Sequence, residues 1–195
     1  MYKCEEGKSM RKILVITVAV FICIITMGCS SIKQKAKEVA IDWKADGREY
    51  GKETAYTIED TVQTAFFKVK VNSVTTQDEI QGKNDEYVPQ DVAHQFIVVN
   101  ITVENTYDDF DSITMFCDDF ELTWEQLQGE TTFPEYQMNE EQLPDSYELK
   151  YGESKTGNLV FITPRNIKDY RMKYYEIWDD NFIGNTYYID FSVTE

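Results

Sequence analysis

The stretch QFIVVNITVEN, residues 95–105, decides the fold class. Ile97, Val99, Ile101 and Val103 occupy alternate positions, and Asn100, Thr102 and Glu104 lie between them. Side chains alternate across a strand with a period of two, so this pattern gives one apolar and one polar face. Toward the amino terminus, FFKVKVNSV (66–74) sets Phe67, Val69 and Val71 against Lys68 and Lys70. Toward the carboxyl terminus, FELTW (120–124) alternates again, and GNLVFITP (157–164) is an apolar run closed by a proline that cannot donate to a ladder. DYRMKYYEIW (169–178) and NTYYIDFSV (185–193) complete the set, the second with Tyr187, Ile189, Phe191 and Val193 facing one way. Val, Ile, Phe, Tyr and Thr dominate these runs, and turn residues separate them at 82–84, 105–111, 129, 144–145 and 152. Six or seven half-buried strands predict an all-β, two-sheet sandwich over residues 56–195, with a closed barrel as the alternative.

Charge narrows the range of partners. Residues 57–195 carry 9 Lys and Arg against 28 Asp and Glu, a surplus of 19 negative charges. Nucleic acid requires basic neutralising contacts, so it is excluded as a partner. Cations, basic proteins and neutral glycans remain, and part of the charge serves solubility alone.

The amino terminus reads as an export signal. Arg11 and Lys12 precede an unbroken apolar run over residues 13–27, and Gly28, Cys29, Ser30 and Ser31 follow. Fifteen residues span about 22 Å as a helix, short of a bilayer core of about 30 Å. The run therefore suits a secretory signal, residues 1–28, better than a permanent span. The small residue before Cys29 resembles the bacterial lipobox, whose cysteine receives a diacylglyceryl group, although Thr26 stands where leucine is usual. An uncleaved anchor stays open as the alternative, and Met10 is a more typical start than Met1 because Glu5 and Glu6 are foreign to a signal's basic end. Lipid on Cys29 would hold the chain to the membrane's outer face. Residues 29–55, with mixed charge and little apolar surface, read as a linker that holds the domain off the membrane.

The order of these segments resembles a family of secreted and lipid-anchored proteins, mostly of Gram-positive bacteria, whose domain has no assigned function. Some members carry the label telomeric repeat-binding factor. The resemblance rests on FFKVKVNSV, on QFIVVNITVENTYDD with Asn105, on FELTW, and on LKYGESKTGNLVFITP with Gly152, Glu153, Gly157, Phe161 and Pro164. It implies an immunoglobulin-like sandwich similar to the mycobacterial immunoprotective extracellular protein, and it implies no activity. Gly152 is expected in a turn of positive φ, and Asn105 is expected to bond backbone where a strand ends.

Few residues suggest chemistry. His94 is the sole histidine and has no assignable nucleophile beside it. Cys117, the one cysteine left after export and lipidation, lies in a strand-like run and reads as a buried structural thiol. No disulfide is expected, and an enzyme is the least favoured class. Asp108, Asp109 and Asp111 crowd one turn and Asp118 and Asp119 another; if the two meet, they could supply oxygens to calcium. A calcium-stabilised adhesion domain is the alternative to a plain binding module, and no other cofactor is indicated. Aromatics are abundant, with 13 Tyr, 11 Phe and 3 Trp. Neither Tyr174 and Tyr175 nor Tyr187 and Tyr188 can both point inward from a strand, so some of these tyrosines face solvent or a protein or glycan partner.

Overall fold

A computed structural model describes residues 47–124 and 131–193. The signal, Cys29 and most of the linker lie outside the described residues. From Glu49 onward the chain is one compact unit built from two four-stranded sheets. The first sheet has the order β10-β6-β3-β2, from Ser154–Pro164, His94–Asn105, Phe67–Gln77 and Thr61–Gln63, all antiparallel. The second has the order β1-β12-β11-β8, from Glu53–Thr57, Ile183–Ser192, Asp169–Ile177 and Glu121–Thr123. Within it β1 runs parallel to β12, and the other pairs are antiparallel. Two small ladders flank the sandwich: β4 (Ile80–Gln81) with β5 (Glu86–Tyr87), and β7 (Ser112–Phe116) with β9 (Ser146–Lys150). The sheets stay separate and do not close into a barrel. β1 starts at Glu53, inside the stretch read from the sequence as linker.

Alternation builds the core. Ile97, Val99, Ile101 and Val103 of β6 are fully buried, and so are Phe161 of β10 and Leu122 of β8. Met172 and Tyr174 of β11 and Ile189 and Phe191 of β12 close the layer from the second sheet. The first half of β6 is buried on its other face too. There Phe96 and Val98 meet Ile80 and Val160, with Met138 and Ile162 packed against them. This second small core explains why β6 begins as a continuous apolar run and alternates cleanly only from Asn100 onward.

β3 holds its hydrophobic face through a bulge. The register slips between Val71 and Ser73, so Val71 pairs with Ile101 and Val74 pairs with Val99. The extra residue, Asn72, turns outward and donates to Asn100 Oδ1 and Thr102 Oγ1, both at 2.9 Å. Were Asn72 instead paired in a regular ladder, every later side chain of β3 would change face.

Two features tie the sheets' connections. Tyr170, at the start of β11, donates its hydroxyl to the Ile167 carbonyl at 3.1 Å and lies 3.0 Å from Thr163 Oγ1. That is the tyrosine corner of immunoglobulin-like sandwiches. Asn105 is fully buried at the end of β6. It donates to the Leu149 carbonyl at 2.9 Å and accepts from the Tyr107 amide at 2.8 Å. The Gly152 amide returns to the Asn105 carbonyl at 2.9 Å, in a turn where Gly152 has φ of +75°.

A candidate interaction surface at one end of the sandwich

Glu176 organises one end of the sandwich. It occupies an inward position on β11 and is only 2% exposed. A buried carboxyl must find donors or cost several kcal/mol, and this one finds three. Its Oε1 accepts from the Ala65 amide and the Tyr187 hydroxyl, both at 2.7 Å, and its Oε2 accepts from the Asn185 amide at 2.9 Å. One side chain therefore joins the β2–β3 turn to both strands of the β11–β12 hairpin. Gly184 leaves room for it: a Cβ at that position would sit 2.4 Å from Oε2. Burial first, then the Glu176 contact, pushes the Tyr187 hydroxyl well above its ordinary value.

The loops resting on this clasp are internally braced. Thr64 Oγ1 accepts from the amides of Phe66 and Phe67 at 3.1 and 3.0 Å. The Thr106 amide donates to the Phe66 carbonyl at 3.0 Å. In the β11–β12 hairpin, Asn181 takes the left-handed conformation with φ of +61°, which asparagine tolerates better than most residues. Its amide donates to the Trp178 carbonyl at 2.7 Å, and Asp180 accepts from the Phe182 amide at 3.1 Å.

Aromatic rings bring three of these loops together. Phe66 of the β2–β3 turn, Tyr107 of the β6–β7 turn and Trp178 of the β11–β12 hairpin form a closed edge-to-face triangle, with centroid separations of 5.3, 4.8 and 6.1 Å. Phe110 adds a fourth ring 5.6 Å from Tyr107 and is 54% exposed. Acidic groups border the rings. Partial burial, then Asp109, Asp179 and Asp108 in that order, push the Tyr107 hydroxyl upward. Two acidic turns, distant in sequence, thus converge on one aromatic patch.

The other candidate residues separate. Asp108, Asp109 and Asp111 precede β7, and Asp118 and Asp119 follow it, so a five-residue strand of roughly 16 Å stands between them. Among the described residues, no group of three or more His, Cys, Asp or Glu could hold a metal ion. Asp119 is drawn inward, where it accepts from the Phe116 amide at 3.2 Å, and desolvation pushes its carboxyl up to about 6. Cys117 is buried, with Sγ 3.1 Å from the Pro144 carbonyl, and burial pushes its thiol up to about 12. It is a structural thiol, as its surroundings in the sequence suggested. His94 is half-buried, with Nδ1 3.6 Å from the Asp91 carboxyl.

The tyrosine pairs divide as strand geometry requires. Tyr174 and Tyr187 face the core and stack on each other with centroids 6.2 Å apart. Tyr175 and Tyr188 face outward, but Lys173 lies over the first ring and Arg171 over the second, at 4.8 and 4.9 Å. Both outward rings are therefore half-covered by cations of their own sheet, and Arg171 is held in turn by a two-point bond to Asp190 at 2.6 and 2.9 Å. Phe66, Tyr107, Phe110 and Trp178 did not stand out in the sequence. The one local sign of them was aromatic residues inside acidic turns, in YDDFD (107–111) and WDDNF (178–182).

The outer face of the first sheet offers a different surface. Asn100 accepts from Asn72 and donates to Asn158 Oδ1 at 2.7 Å, so an amide chain crosses β3, β6 and β10. It floors a shallow groove of about 410 Å³ bounded by Glu140 and Glu141.

Together these features define an immunoglobulin-like β-sandwich with a braced loop end and a buried thiol. A family model matches residues 56–183, and the chain belongs to that family, a domain of unknown function (DUF4352). The match spans all four stretches on which the resemblance rested. No curated protein matches the chain. Among solved structures, the yjhA protein of Bacillus subtilis is similar at 17% identity and a TM-score of 0.52, covering 70% of this chain and 99% of that one. That likeness shows the fold. The ycdA protein of Bacillus subtilis, a candidate lipoprotein, is 20% identical with a TM-score of 0.49 over 67% of this chain, which spans 38% of the ycdA chain. The secreted protein MPT63 of Mycobacterium tuberculosis is 13% identical with a TM-score of 0.45, covering 69% of this chain and 96% of its own.

Proposed function

We propose that this chain is a non-catalytic binding module, tethered by lipid on Cys29 to the outer face of the cell membrane, that holds a protein partner at the loop end of its sandwich. The observation that carries the reading is the aromatic patch of Phe66, Tyr107, Phe110 and Trp178 on loops braced by Glu176. Large rings in rigid loops suit binding, because they offer contact area at little entropic cost. A glycan partner remains the alternative occupant, since sugars also stack on rings. The tether is supported by the basic, apolar and small-residue series that ends at Cys29.

Two experiments test the reading. Labelling of growing cells with an alkyne fatty acid should mark the wild type and not Cys29→Ser, and the variant should leave the membrane fraction. Equal labelling of both forms removes the tether. A photo-reactive amino acid at position 110 should give discrete cross-linked products in intact cells, whereas one at position 140 should not. Absence of any product from position 110 removes the binding site.

A further inference from the structure

We infer that the groove on the outer face of the first sheet takes a small neutral saccharide, one hydroxyl of which accepts from the Asn158 side-chain amide while a neighbouring hydroxyl donates to Glu140 or Glu141. This site is distinct from the loop end and does not depend on the binding proposed there.

The groove has a braced wall over a polar floor. Thr75 of β3, Asn100 of β6 and Thr156 and Asn158 of β10 lie along the floor, and Glu140 and Glu141 form the wall. That wall is pinned on both sides. The Leu143 amide donates to the Asn158 carbonyl at 3.0 Å, and Asn139 Nδ2 donates to the Gln81 carbonyl at 2.9 Å. Between these points Asn139 Oδ1 accepts from the amides of Glu141 and Gln142 at 3.0 and 3.2 Å, and Oε1 of the buried Gln142 accepts from the Met138 amide at 2.8 Å. The volume, about 410 Å³, lies within the range of roughly 300–1,000 Å³ usual for small-molecule sites. A ligand of that size adds no discrete protein band at position 140, so the contrast with position 110 stands.

The hydrogen bonds across the floor have a direction. Asn72 donates to Asn100 at 2.9 Å, and Asn100 donates to Asn158 at 2.7 Å. Each bond polarises the next, so the series ends on a strengthened donor. That donor, Asn158 Nδ2, meets no acceptor among the described residues. The carboxylates of Glu140 and Glu141 likewise meet no donor and no cation among them. An unspent donor and two unspent acceptors thus line one concave surface.

This pairing selects a chemical class. Ammonium and guanidinium groups only donate, so they leave the Asn158 donor unmet. Phosphates and ionised carboxylates only accept, and the two glutamates repel them. A peptide main chain both donates and accepts, but it adds at a strand edge, and the edge of β10 is already taken by Glu135, Glu141 and Leu143. A hydroxyl donates one proton and accepts on two lone pairs, so adjacent sugar hydroxyls offer both functions side by side.

The test is saturation-transfer NMR of the full chain in micelles of a polyoxyethylene detergent, which has no sugar headgroup. The probes are maltose, cellobiose, lactose and N,N′-diacetylchitobiose, each alone. At least one should receive saturation from the protein, and none from empty micelles. Asn158→Asp keeps the acceptor for Asn100 and removes the free donor, and it should weaken binding of that disaccharide about tenfold. The pair Glu140→Gln with Glu141→Gln should weaken it about as much, through loss of the charge-assisted bonds. The pair Glu59→Gln with Glu148→Gln removes the same charge at exposed positions elsewhere and should change affinity less than about twofold. No transfer to any of the four disaccharides overturns the inference. So does equal weakening by the two glutamate pairs, or binding that every variant leaves unchanged. A melting curve checks that each variant is folded; should Asn158→Asp fail to fold, the exposed Glu140 and Glu141 pair decides alone.

Discussion

Asp119 shows how one residue can set a pH dependence. Desolvation raises its carboxyl from 3.8 to about 6 in the folded chain. A folded value above the unfolded one means the native state binds the proton more tightly. The contribution of Asp119 to stability is therefore fully present below about pH 4 and is lost as pH rises through 6. Allowing for partial exposure, the loss at pH 7 is about 2 kcal/mol. Asp119→Asn keeps the acceptor for the Phe116 amide and removes the charge. It should melt several degrees above wild type at pH 7 and converge with it at pH 4, as read by circular dichroism; a constant gap would refute the assignment. Glu176 presents the opposite case, a buried carboxyl with every donor it needs. Glu176→Ala strands the Ala65 and Asn185 amides and should cost about 3 kcal/mol or more in urea unfolding. A loss below about 1 kcal/mol would show that the clasp is dispensable.

At the scale of the element, β3 and β6 show how a strand can carry more information than its hydrophobic period. Both alternate, yet β3 holds its face only because Asn72 is extruded into the polar chain with Asn100 and Thr102. Deleting Asn72 leaves Val71, Ser73 and Val74 in unbroken alternation opposite Ile101, Asn100 and Val99, so Val74 should stay on the core, and the deletion, like Asn72→Ser, should cost only about 1 kcal/mol in urea unfolding for the lost side-chain bonds. A loss of several kcal/mol on deletion would argue against Asn72 as a residue inserted into an otherwise regular strand. The strands of highest alternation, β3, β6, β10, β11 and β12, were all legible in the sequence because each buries one face against a partner sheet. The short β2, β4 and β5 were not, because two or three residues cannot display a period; the equally short β8 was, because Phe120 and Trp124 carry its alternation past the paired residues. β1 escaped notice for another reason: its alternation is weak, and its pairing with β12 is parallel and far away in sequence.

At the scale of the whole molecule, net charge dominates the electrostatics. The excess of acid over base from residue 57 onward repels itself across a small body. Added sodium chloride screens that repulsion, so the melting temperature should rise between low and about 0.5 M salt. A fall on adding salt would mean that the ion pairs Lys173–Glu121 and Arg171–Asp190 outweigh the net repulsion.

The residues alone determined the sandwich, the buried thiol and the division of each tyrosine pair, because alternation is a local property and the pleat converts it directly into inside and outside. They also supplied the family, through the order of strands and the turn at Gly152. Only the tertiary structure decided which turns meet. A calcium site required Asp108 and Asp109 to meet Asp118 and Asp119, their neighbours in sequence, but β7 separates those pairs, and the fold carries the first two instead to Asp179, about seventy residues away. The aromatic patch was hidden for the same reason. Phe66, Tyr107 and Trp178 lie in three different turns, and only the stacking of two sheets, fastened by Glu176, gathers them at one end.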